Sequence, residues 1–174
     1  RALAALYEGP LENRDLALAE LKIVCGLAPD DVDAQRRLAN ALDARGDVDG
    51  ALSALEALAA SPSVPQPEQV AVLSQIAELR TGAGDLRAAD HALRRAVRID
   101  PDPKGAAFAR FAAFHQRHGG ELVYGRALGE LANESGADPR WLIALGELEV
   151  HRIGQPNEGL AHLREAVKAA EGAR

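Results

Sequence analysis

Gly84-Asp85-Leu86, followed by Ala89, Leu93 and Ala96 and closed by Asp100-Pro101, decides how this chain folds. Glycine accepts the positive φ that ends one helix, and aspartate caps the start of the next. The Ala/Leu spacing places small and large apolar residues on one helical stripe. Proline then stands past the helix end, where its missing N–H costs nothing. Looser copies recur: Gly46-Asp47-Val48 with Ala51, Leu55 and Leu58; Gly119-Gly120-Glu121-Leu122; and Gly154 with Gly159, Leu163 and Ala166. Gly46 to Gly84 is 38 residues, and Gly84 to Gly119 and Gly119 to Gly154 are 35 each. A period in the mid-thirties holds two helices of about 12 to 15 residues and two short turns. One such hairpin buries too little apolar surface to stand alone, so neighbours must stack.

The rest of the chain agrees. Apolar residues make up 47% of the 174 residues, but aromatics only 3%. The core is therefore expected to be built from small aliphatic side chains, with Ala where helices approach closely. Beta-branched residues are sparse and helix formers abundant, which predicts an all-helical chain. Net charge is −6, with both signs interspersed. That argues against nucleic acid or acidic lipid as a partner, since either needs a basic stripe. Of the 20 cations only Lys22, Lys104 and Lys168 are lysine. Cys25 is the single cysteine and is expected on the apolar side of a helix. No apolar run approaches the length of a membrane span. The chain starts at Arg1 without Met or a signal peptide, and reads as an excerpt or processed form of something longer.

These residues resemble the tetratricopeptide repeat, which pairs a large residue, Leu, a small residue and Tyr on a first helix with Ala, Phe, Ala and Pro on a second. Leu73, Ile76 and Ala77, then Ala89, Leu93, Ala96 and Pro101, match it best. Leu38, Ala39, Leu42, Ala51, Leu55 and Leu58 form an earlier unit. Phe108, Phe111 and Ala112 begin a fourth, whose second helix runs out of phase. Leu142, Leu145, Gly146, Gly159, Leu163 and Ala166 form a fifth, with one extra residue in its turn. A degenerate first unit has a short helix from Ala2 to Glu8, then Ala17, Leu21, Val24 and Pro29. The family's Tyr place is held by Leu42, Arg80, His115 and Glu149. The resemblance implies one domain, an all-α right-handed superhelical solenoid of about five antiparallel hairpins, at 1–29, 30–65, 66–102, 103–138 and 139–174. Between the second and third units, Ser61-Pro62-Ser63-Val64-Pro65-Gln66-Pro67-Glu68 is expected to be a non-helical connector.

Chemistry is hard to find. Five histidines are the only metal or acid–base candidates, and His115 and His118 alone are close enough to share a helix face. There is no H-E-x-x-H, no cysteine pair, no G-x-S-x-G and no phosphate-binding glycine loop. The expectation is a chain without catalytic residues, cofactor or metal.

The resemblance instead implies a concave face, lined by first helices, that holds a peptide or helix of a partner protein. Its candidate residues are Arg36, Asn40 and Asp43, then Gln75 and Glu78, then Arg110 and Gln116, with Asp33, Ser74 and Ala113 beside them. Arg36 and Asn40, Gln75, and Arg110 also fall at places where some family members clamp a C-terminal carboxylate; Ala106 departs from that pattern. Two further readings remain open. Apolar residues from Ala2 to Tyr7 and from Leu160 to Val167 would suit a homo-oligomer joined through end helices. The segment would also suit a periplasmic spacer of an envelope or secretion protein. A cytoplasmic setting fits the lack of disulfides, and a periplasmic one is compatible with it.

Overall fold

The computed structural model describes residues 14–29 and 31–172; the short helix expected from Ala2 to Glu8 lies outside them. The described residues hold eight α-helices, one π-helical turn and no strand. They are α1 Arg14–Leu27, α2 Val32–Ala44, α3 Val48–Ala60, α4 Gln66–Gly82, α5 Leu86–Ile99, α6 Ala106–Glu134, α7 Pro139–Leu148 and α8 Pro156–Gly172. The π-helical turn, Glu149–Ile153, continues α7. The chain forms two compact units, Arg1–Ile99 and Asp100–Arg174.

In the first unit each helix packs on the next, α1 on α2, α2 on α3, α3 on α4 and α4 on α5. The turns are built as the sequence requires. Gly46 and Gly84 take φ of 80° and 81°. Asp47 then accepts from the Gly50 N–H at 2.9 Å and Asp85 from the Ala88 N–H at 3.0 Å, capping α3 and α5. Behind the turns, Leu38, Ala39, Leu42, Ala51, Leu55 and Leu58 are buried, as are Leu73, Ile76, Ala77, Ala89, Leu93 and Ala96. Leu18, Leu21 and Cys25 of α1 join Ala34, Leu38 and Leu42 of α2 in one apolar cluster. Burial, and then the Asp31 carboxylate, raise the Cys25 thiol above its ordinary pKa, so it behaves as a small hydrophobe.

The proline segment is only partly the expected connector. Pro65 is extended (φ −59°, ψ 146°), but α4 begins at Gln66 and takes in Pro67 and Glu68. A proline in the first turn forfeits no helical hydrogen bond, so the helix starts earlier than the proline count suggests. Val64 is buried, and the Gln69 side-chain amide donates to the Ser61 and Val64 carbonyls at 3.3 and 3.0 Å. The connector is thus stapled to the helix it precedes.

In the second unit, α6 carries both helices of a hairpin, broken at Gly120 (φ 72°, ψ −172°). The neighbouring Gly119 is needed too, because a Cβ there would stand 2.5 Å from Val123. This turn has no capping aspartate and is shorter than those at Gly46 and Gly84, which accounts for the phase drift seen in sequence. The extra residue of the last hairpin lies in the π-helical turn before Gly154, so it bulges the helix rather than lengthening the turn. Pro139 opens α7, capped by Asp138, and so marks a helix start as well as following an end. The small-aliphatic core expected from composition holds in the first unit only. Phe108 stacks on Trp141 at 5.7 Å, and Tyr124 meets Phe108 and Phe111 edge-on at 6.4 and 6.1 Å.

Candidate interaction face

Burial of Ala34, Leu38, Ala39 and Leu42 fixes the rotation of α2 and turns Asp33, Arg36, Asn40 and Asp43 outward as one row. The same logic on α4 buries Leu73, Ile76 and Ala77 and gives a second row of Glu68, Ala71, Gln75 and Glu78. Each member of the second row stands 35 residues after its counterpart in the first. The period-matched pair Asn40 and Gln75 is joined directly, Gln75 Nε2 donating to Asn40 Oδ1 at 3.1 Å.

The residue 35 positions after Arg36 is Ala71, which has no polar side-chain atom, and the Arg36 guanidinium instead reaches Glu68, three residues before it. Nη1 donates to Glu68 Oε1 at 2.7 Å and Nη2 to Asp33 Oδ1 at 2.6 Å. Both terminal nitrogens therefore already hold carboxylates of the chain itself. Asp43 and Glu78, at the other end of the rows, are exposed. On the opposite side of the same hairpins, Arg95 of α5 donates to Glu56 of α3 at 2.8 Å.

Ser74, which the spacing places near this face, is buried and donates to the Val70 carbonyl at 2.8 Å. In the second unit Arg110 is exposed and Gln116 half-buried, both on the first half of α6. His115 is buried edge-on against Phe111 at 4.5 Å, while the His118 ring lies tilted on Phe114 at 4.9 Å. Aromatic packing thus occupies both rings. Among the described residues no group of three His, Cys, Asp or Glu side chains could hold a metal ion. Among the described residues, too, no helix is long and apolar enough to cross a membrane.

Two features were missed in sequence. A cleft of about 560 Å³ runs between α1 and α2, bordered by Arg14, Asp15, Leu18, Arg37, Asn40 and Arg45, with Arg45 paired to Asp15. In the second unit a cavity of about 360 Å³ opens beside Gly125, Gly129 and Leu145. On its wall the buried Glu149 accepts from or pairs with His162 Nδ1 at 2.7 Å. An acid in the repeat's Tyr place was the available signal, because a buried carboxylate needs a partner.

No protein-family model matches the chain, and no curated protein matches its sequence. Solved structures do match. A crystal structure of MamA protein superposes with a TM-score of 0.54 at 15% identity, over 97% of this chain and 88% of that one. MamA from residue 41 to its end, of Desulfovibrio magneticus RS-1, gives 0.50 at 15% identity, over 97% and 96%. Nearly identical TPR-like repeats named for a kinesin light chain of Podosopora anserina give 0.50 at 18% identity, over 99% and 94%. At these identities the likeness is one of fold, and the fold is the all-α helical repeat of tetratricopeptide-like solenoids.

Proposed function

We propose that the chain is a non-catalytic protein-interaction scaffold that holds an extended segment or helix of a partner along the first-helix faces of its hairpins. The observation that carries this is the pair of rows on α2 and α4. They are solvent-accessible to differing degrees, polar apart from Ala71 and in register at a 35-residue spacing, and the Asn40–Gln75 bond links one row to the other. A face held in this way loses little side-chain freedom on binding, which favours affinity for a partner laid across it. Asp43 and Glu78 extend the polar residues that a partner would meet on the first unit; Arg110 and Gln116 are the corresponding candidates of the second unit, taken by itself.

The test is position-specific photo-crosslinking. A crosslinker replacing Ala71, on the α4 row, should capture partner, whereas one replacing the exposed Ala57 of the second-helix side of α3 should not. Equal capture from both positions, or capture from position 57 alone, refutes the reading.

A second reading is self-association, favoured by exposed apolar residues on the terminal described helices. Leu16, Ile23 and Leu27 share a stripe of α1, and Leu160 and Val167 share one of α8. Light scattering at two concentrations decides it: mass should rise with concentration and fall back in Ile23→Glu or Val167→Glu, and a strict monomer throughout excludes it.

A further inference from the structure

We propose that Glu68 is a specificity-determining residue of the α2–α4 face. It is an internal carboxylate that occupies Arg36 and turns the face away from acid-ended partners. The proposal rests on the reading that this face binds a partner, and names the chemistry it selects.

A guanidinium presents a planar fork of donors suited to a carboxylate, so an exposed arginine on a binding face is a natural receptor for acidic side chains and C-termini. Arg36 is the only cation in the two rows. Its fork is already filled, Nη1 by Glu68 at 2.7 Å and Nη2 by Asp33 at 2.6 Å. An incoming carboxylate must compete for the remaining N–H donors and sit beside two negative charges that already offset the guanidinium.

Asp33 is a neighbour on the same helix turn, but Glu68 comes from the next hairpin and is delivered by a built arrangement. Pro65 and Pro67 start α4 at Gln66, and Gln69 ties that first turn to Ser61 and Val64. Glu68 therefore stands in the first helical turn, where the helix dipole also favours a negative charge. It is the less exposed of the two acids, with 25% of its side chain accessible against 66% for Asp33. The connector that looked in sequence like an inserted loop thus places the carboxylate that closes Arg36.

With Arg36 neutralised, a partner meets the Asn40–Gln75 amides and the carboxylates of Asp43 and Glu78. The complementary partner brings Lys or Arg side chains.

The experiment is fluorescence anisotropy with two labelled peptides of one apolar core, one ending in Asp and Glu residues and the other carrying Lys and Arg. The wild-type chain should prefer the basic peptide. Glu68→Gln keeps the length and hydrogen-bonding capacity of the side chain but removes its charge. It should tighten the acidic peptide about fivefold, the upper range for an exposed ion pair, and weaken the basic one. Adding Arg36→Ala to Glu68→Gln should cancel the gain. A wild type that prefers the acidic peptide through Arg36, or a Glu68→Gln variant that changes neither affinity, overturns the proposal. If crosslinking from position 71 still captures partner while Glu68→Gln changes nothing, only the specificity assignment falls. If crosslinking fails as well, the binding face itself is wrong.

Discussion

Gly146 of α7 and Gly159 of α8 cross with each backbone filling the place of the other's missing side chain. A Cβ on Gly146 would stand 2.8 Å from the Gly159 carbonyl oxygen, and one on Gly159 would stand 2.7 Å from that of Gly146. Neither backbone can step aside without parting the helices. By helix propensity alone either Gly→Ala change should stabilise by up to about 1 kcal/mol. Overpacking costs about 1–3 kcal/mol and should win here. Gly146→Ala and Gly159→Ala are therefore expected to lower the urea midpoint, with slope unchanged. Gly129→Ala is the control, since its Cβ would meet Leu145 at an ordinary 3.7 Å and should be stabilising. If all three variants behave alike, the close crossing is not what the glycines are for.

Glu149 and His162 form the second unit's buried polar contact, 2.7 Å apart across the α7–α8 hairpin. Removing His162 leaves the Glu149 carboxylate in a place with little water, so His162→Ala should cost about 2 kcal/mol, below the full buried-pair range because the imidazole is itself partly solvated. Replacing both by apolar residues, Glu149→Leu with His162→Leu, should recover much of that loss. A double-mutant cycle in chemical denaturation measures the coupling, and a coupling near zero would show that the pair is incidental.

How far the sequence could be read differs between the two units for physical reasons. In the first, the α2–α3 and α4–α5 turns use Gly and Asp in their ordinary roles, so Gly46-Asp47 and Gly84-Asp85 announced both the break and the cap. In the second, Gly120 turns the chain without an aspartate, and the π-helical turn at Glu149–Ile153 absorbs a residue inside a helix. The uncapped break showed in sequence only as a phase drift and the bulge only as one extra residue assigned to the turn, because neither has a signature of its own. On the face, rotation of α2 and α4 was legible because their buried residues are plainly apolar, and Arg36, Asn40 and Gln75 did emerge together. Their mutual bonds were not legible. Nothing local says that Arg36 will reach Glu68, because that depends on where a proline-rich connector starts the next helix.

Asp138 offers a test by acid. It caps α7 through the Arg140 N–H at 2.9 Å and also grips the Arg140 guanidinium, with Nη2 at 2.6 Å. The Arg140 side-chain bonds hold its carboxyl below the ordinary range, with the backbone N–H and the charge of Arg140 helping, against the opposing effect of burial. The folded value is thus lower than the unfolded one, near 4. The stabilisation is fully present above about pH 4 and is lost as pH falls through the depressed folded value. Asp138→Asn keeps a cap but has nothing to titrate, so its stability should fall less steeply below pH 4 than that of wild type. Asp138→Ala should lose about 1 kcal/mol even at neutral pH. Parallel acid slopes in wild type and Asp138→Asn would remove this carboxylate from the account.

Tyr124 provides the corresponding test in alkali. Its ring is buried between Phe108 and Phe111, and burial, then the nearby Glu121 carboxylate, push its phenol well above the ordinary value, with Arg152 opposing. The unfolded chain releases this proton from about pH 10, whereas the native chain keeps it. Stability contributed by the neutral phenol is therefore complete below about pH 10 and declines as pH rises towards the elevated folded value. In a Tyr7→Phe background, where Tyr124 is the sole tyrosine, phenolate absorbance should stay absent past pH 10 and rise only as helical circular dichroism is lost. Tyr124→Phe should flatten the alkaline decline in stability. Phenolate forming near pH 10 with the helices intact would mean that the ring is not enclosed as described.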